Sequence, residues 1–217
     1  MKIRSITYFC NPKYPLEEKI LRKAGTFLAE AKSAYEAAGY EVQTTRLATI
    51  PFPKLLGEEH INKLLELTSQ IADIAHQLNI GYVSLGPALP EVTRSYELIP
   101  DAIFVSKNVF FGGMMADKTR GLDLTAIRAC ADVIVKCAPI EPNGFANLQF
   151  AALANVPAGA PFFPAAYHEG QKPAFGIATE SADLAVDAFG NAKSVDEGRR
   201  NLIEAIEKHG KKLAKIA

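Results

Sequence analysis

The chain has 217 residues, 48% hydrophobic and 22% charged, with a formal net charge of zero. This is the balance of a globular protein of one large or two small domains. It excludes a basic nucleic-acid footprint, and no apolar run reaches the roughly 18 residues that span a bilayer. Nucleic acid and membrane are therefore not expected partners. The N-terminal MKIRSITYF reads as a first strand without a signal-peptide apolar region, so the expected location is cytoplasmic.

Residues 2–9 carry Ile3, Ile6 and Phe9 and predict that strand, ended by Pro12 and Pro15. Ile20, Ala24, Phe27, Ala31, Tyr35 and Ala38 then recur at helical spacing, with Gly39 in the C′ position that closes such a helix. Residues 41–47 predict a second strand, and Pro51 and Pro53 a loop. A stripe from Ile61 to Leu78 predicts one long helix over residues 57–79. A third strand follows at 80–85, ending at Gly86-Pro87, then a short helix over 92–98. A fourth strand is predicted at 102–106, with Gly112-Gly113 as a turn beyond it.

Leu124 to Cys137 reads as a helix capped by Asp123. Phe145 to Ala154 fits a strand or a buried helix, and the period does not decide between them. Residues 174–178 predict a further strand, and Ser181 a cap for a short helix ending near Gly190. Ser194 to Glu197 is a capping box, opening a last helix that ends in Lys208, Lys211, Lys212 and Lys215. The alternation predicts one α/β domain over 1–217, a mostly parallel sheet, barrel or half-barrel.

Three cysteines form no disulfide framework. Cys130 and Cys137 share a helix face but lie about 10 Å apart, too far to pair. All three read as small buried hydrophobes, with Cys10, just past a strand, in the position best suited to reactivity.

Three polar clusters stand out. Ser106, Lys107 and Asn108 precede the glycine pair, and Lys107 and Asn108 suit a carboxylate, phosphate or amide. The alternative is a turn with exposed polar residues. Asp117, Lys118, Arg120 and Asp123 precede a helix, and Arg120 suits a bidentate clamp on an acidic group. The alternative is solvated charge plus a helix cap. Asn155, Pro157, Gly159, Pro161, Pro164, His168 and Glu169 form a loop whose shape the prolines fix. His168 is the best acid or base in the chain, with Glu169 orienting it or acting separately. The alternative is a structural histidine. His60, His76 and His209 read as surface residues. No metal-ligand spacing and no nucleotide-binding glycine signature is present, so no metal is expected and no cofactor is named.

The segments Ile99–Phe111, RGLDLTAIRACADVI from Arg120, and NLQFAALANVPAGAPFFPAAYHEG from Asn147 resemble the DUF711 family, also called UPF0210. FGIATESADLAVDAF matches more loosely. The resemblance implies an α/β barrel of two half-barrels, similar to the pyruvate formate-lyase-like fold, in proteins longer than this chain. It implies no activity, because the family is uncharacterised. Glycyl-radical chemistry needs a radical glycine loop, and none is found here.

Two expectations follow. As an enzyme, the protein would act on a small anionic metabolite, with His168 as acid or base, Arg120 or Lys107 holding the anion, and Asn108 and Asn155 donating neutral hydrogen bonds. His168, Asn108 and Asn155 would then share one rim of the sheet. As a binding or assembly protein, its loops would contact another subunit. In either case an uncovered half-barrel would associate with a second copy or a C-terminal portion.

Overall fold

In a computed structural model describing residues 1–170 and 172–217, β1 (Lys2–Cys10) lies inside a seven-stranded, mostly parallel sheet. The chain runs on through α1 (Glu18–Ala37), β2 (Thr45–Thr49), α2 (Phe52–Leu56), a 3-10 segment (Glu58–Lys63) and α3 (Leu64–Gln77). Next come β3 (Tyr82–Ala88), α4 (Arg94–Glu97), α5 (Ile99–Val105), β4 (Val109–Asp117), the two-residue β5 (Gly121–Leu122) and α6 (Leu124–Cys137). A second 3-10 segment (Pro142–Gln149) leads into β6 (Phe150–Ala154). Then follow β7 (Ala174–Glu180), α7 (Ala182–Gly190) and α8 (Val195–Ile216).

β1, β2, β3, β4 and β6 are parallel neighbours in that spatial order. β7 pairs antiparallel with β1, and β5 antiparallel with the end of β4. β6 and β7 stand at the two edges and do not pair with each other among the described residues, so the sheet is open there. No helix among the described residues is long and apolar enough to cross a membrane.

Strand alternation gives the sheet two unlike faces. Ile6, Leu47, Val83 and Phe111 turn to one face and build the main core with Leu28 of α1, Ile71 of α3, Ile103 of α5 and Val133 of α6. The last helix joins this side, where the Tyr35 hydroxyl donates to the Leu213 carbonyl. The other face carries Phe9, Ala48, Met114 and Leu153, and is covered by a strap of residues 156–168. Ala166 of the strap packs on Phe9 and Ala48, and Tyr167 packs on Met114 and Leu153. The Ser84 hydroxyl donates to the Ala166 carbonyl at 2.7 Å. The Gly159 N–H donates to the Tyr167 carbonyl, and the Tyr167 hydroxyl to the Val156 carbonyl, each at 2.9 Å.

The strand expected at 102–106 is a helix. Pro100 sits in its first turn, where a missing N–H is harmless, and Ile99, Ala102 and Ile103 bury one helical face. The strand begins three residues after that helix, in the apolar run from Val109. Gly112 and Gly113 are accordingly mid-strand rather than a turn. A Cβ on Gly113 would meet Cys130 Sγ at 2.6 Å and Phe150 Cζ at 3.0 Å. The pair lets α6 and β6 close on β4.

The helix expected over 57–79 divides into the 3-10 segment and α3. The undecided run 145–154 also divides, into 3-10 turns and β6. The caps at Gly39 (φ 87°) and Asp123, whose Oδ1 accepts from the Ala126 N–H at 2.9 Å, form as expected. Ser194 Oγ accepts from the Glu197 N–H, but the Glu197 carboxylate reaches back to the Lys193 N–H instead of that of Ser194. Ser181 makes no capping hydrogen bond to α7.

Candidate functional site

Five parallel strands end at one edge of the sheet, which is where open α/β sheets form ligand crevices. Two cavities lie along that edge, about 440 Å³ and about 430 Å³ in volume. The first is lined by Asn11, Lys13, Lys23, Lys54, His168 and Glu169, among others. The second includes Lys54, Glu91, Asp117, Arg120, Asn155 and Glu169. Pro51, Lys54 and Glu169 line both, so the cavities adjoin in one groove. A further cavity of about 380 Å³ lies between α4 and α6, away from the strand ends. Its walls are surface charges such as Arg94, Arg128 and Asp132, and none of its side chains is a buried polar group without a partner.

His168 is held at the first cavity by its backbone, whose N–H donates to the Thr49 carbonyl at 2.9 Å. The residue is 6% exposed, and its ring is tilted against the Phe9 ring at 6.4 Å between centroids. Nε2 is buried and has no hydrogen-bond partner among the described residues. Burial lowers the imidazole pKa below its ordinary 6.5, while the backbone at Gly170 and Lys172 pulls weakly the other way. The ring is therefore neutral near pH 7. Gly170 leaves room for it, since a Cβ there would lie 3.1 Å from His168 Cε1.

The first cavity is electropositive. Lys13, Lys23 and Lys54 face one carboxylate, Glu169, with Lys13 also paired to Glu17 at 2.6 Å. The second cavity is balanced. Arg120 pairs with Glu91 at 2.9 Å, which raises the guanidinium pKa further. Asp117 accepts the Thr119 and Arg120 N–H groups at 2.8 and 2.7 Å, and these bonds lower its pKa. Asn155 enters this cavity in a left-handed conformation (φ 56°), its N–H bound to the Ala116 carbonyl.

The structure brings His168, Glu169, Arg120 and Asn155 to this edge. Lys107 and Asn108 lie at the opposite edge, just before β4 begins. Lys107 pairs with Glu141 at 3.0 Å, and Asn108 Oδ1 accepts from the Ser106 hydroxyl at 2.7 Å. The shared rim expected for His168 and Asn108 is thus corrected: the strand follows Asn108 instead of preceding it. Cys10 lines the first cavity, but burial pushes its thiol up to about 12, so it is no nucleophile at neutral pH. Lys23 and Lys54 were not legible as site residues. The proline pair beside Lys54, after a strand, was the available signal.

The fold and groove define a mixed α/β protein with helices on one sheet face and a polar crevice at its carboxyl edge. Comparison with known proteins gives the family: the chain belongs to the one described as Uncharacterised ACR (DUF711), whose model matches residues 1–217. It is 24% identical over 164 residues to a UPF0210 protein of Methanococcus aeolicus, covering 69% of this chain and 36% of that protein. It is 27% identical over 192 residues to a UPF0210 protein of Pyrobaculum islandicum, covering 82% and 40%. The chain thus spans well under half the length of these relatives. No function is named for either relative.

Proposed function

We propose that the carboxyl-edge groove binds a small anionic metabolite and that His168 serves there as acid or base. The observation that carries this reading is a buried, neutral imidazole whose Nε2 has no hydrogen-bond partner among the described residues, next to three lysines around one cavity. A neutral imidazole at pH 7 is able to accept a proton, and lysines hold an anion beside it. Glu169, lining both cavities, would orient the ligand between them. Arg120 and Asn155 would contact its far end, from the second cavity. The test is turnover across a panel of small carboxylates and phosphate esters. His168→Gln should abolish it while Lys54→Met raises KM. A panel without any turnover, or full activity in His168→Gln, refutes the catalytic reading.

A second reading rests on the β6 edge. Phe145 and Leu148, in the 3-10 segment that leads into it, are 56% and 65% exposed, and Val135 of α6 is 71% exposed. On this reading the open sheet is a half-barrel, completed by another copy or by a C-terminal portion of a longer protein. The greater length of the relatives supports the latter. Light scattering tests association: a monomer that remains a monomer up to high concentration removes the second-copy version.

A further inference from the structure

On the strap-covered face, toward the amino-terminal ends of the strands, one arginine lacks a counter-charge among the described residues. Arg46 is the second residue of β2, and its guanidinium lies over two aromatic rings, 5.1 Å from the centroid of Phe163 and 5.6 Å from that of Tyr82. Phe110 extends this wall, 5.2 Å from Tyr82 and 5.6 Å from Phe163 between centroids. The Arg46 Nε–H donates to Thr44 Oγ1 at 3.0 Å. Among the described residues no carboxylate comes within 4.0 Å of its guanidinium, and the neighbouring Arg4 pairs with Glu180 at 3.5 Å.

The surroundings aggravate this deficit. Burial lowers the Arg46 pKa, and the neighbouring Arg4 charge lowers it further. Thr7 pairs with Arg46 in the β1–β2 register and so shares its face. It is fully buried and its hydroxyl has no hydrogen-bond partner among the described residues. A partly desolvated cation is costly unless an anion joins it. The planar fork of a guanidinium matches a carboxylate, and its terminal N–H groups bond no protein acceptor among the described residues.

We propose that Arg46 anchors a second binding site, one for a carboxylate carried on a flat apolar body, such as an aromatic acid. The carboxylate meets the terminal N–H groups of Arg46, and the ring lies against Phe110 and Phe163. The site is independent of the groove, because Arg46 and Tyr82 stand at the starts of their strands and His168 at the strand ends.

The experiment uses the full chain, isotope-labelled, and follows the Arg46 Nε–H signal by NMR while benzoate, acetate or benzyl alcohol is added. Benzoate should shift it saturably, acetate should bind at least about tenfold more weakly, and benzyl alcohol should leave it unmoved. Arg46→Met keeps the apolar stem over the rings and should weaken benzoate at least about tenfold, read from the Tyr82 and Phe110 signals. Should that variant fail to fold, Arg46→Lys decides, since an ammonium lacks the fork and should also weaken binding. Absence of any saturable shift overturns the proposal. So does benzoate affinity unchanged in the folded variant, or a response confined to His168 and Lys54.

Discussion

The His168 N–H donates to the carbonyl of Thr49, the last residue of β2, at 2.9 Å. This bond ties the end of the strap to the sheet, so the imidazole is positioned by β2 rather than by a free loop. A second tie lies two residues earlier, from Ser84 Oγ to the Ala166 carbonyl at 2.7 Å.

Ser84→Ala removes that second tie and leaves the Ala166 carbonyl buried without its donor. The expected cost is about 1–3 kcal/mol of unfolding free energy, measured by urea denaturation. Cleavage within the strap by a nonspecific protease should quicken. A stability equal to the parent would mean that the strap is held without Ser84.

Gly113→Ala places a methyl 2.6 Å from Cys130 Sγ and 3.0 Å from Phe150 Cζ. Overpacking of this kind costs about 1–3 kcal/mol. Cys130→Ala in the same chain should restore part of the loss, a coupling that a double-mutant cycle reads directly. Strict additivity of the two changes would contradict the close approach of α6 to β4.

The lowered pKa of His168 fixes the sign of a pH effect. On acidification the unfolded chain takes up this proton first, near 6.5, while the folded ring stays neutral. The unfolded state then binds more protons, so stability falls as pH drops below 6.5 toward the folded pKa, and is unaffected above. His209 acts in the same direction, through partial burial and the charges of the N-terminus, Lys208 and Lys212. Comparing melting temperatures at about pH 7.5 and about pH 5.5, His168→Gln should shrink the acid loss more than His209→Gln. The reverse order would show His168 to be solvated in the folded protein.

Burial pushes the Cys10 and Cys130 thiols up to about 12 and that of Cys137 up to about 11. Thiolate is the reactive form. All three should therefore resist an aromatic disulfide reagent at neutral pH in the native protein and react at once in denaturant. Rapid native labelling of Cys10 would reopen its candidacy as a reactive group.

Much of this architecture is written locally. Gly39, Asp123 and Ser194 mark helix ends through backbone geometry and capping, which depend on a few adjacent residues. The error at 102–106 arose because four apolar residues followed by Ser106 fit a strand or a buried helical turn equally well, and only Pro100 argues for the helix. That one displacement moved Asn108 from the carboxyl edge to the amino edge. Gly112 and Gly113 read as a turn because their true reason, the packing of Leu153 and Cys130, lies far along the chain. Lys23 and Lys54 converge on His168 only through the tertiary fold, so spacing alone did not pair them.

The central claim is that His168 and the lysines around it form an anion site. Its most direct test is the ¹⁵N signal of the His168 imidazole, followed while inorganic phosphate is added to the full chain near neutral pH. The account predicts a saturable change at Nε2, much weakened in Lys23→Met and Lys54→Met variants that fold normally. An unmoved imidazole signal, or a response in both variants as strong as in the parent chain, would contradict it.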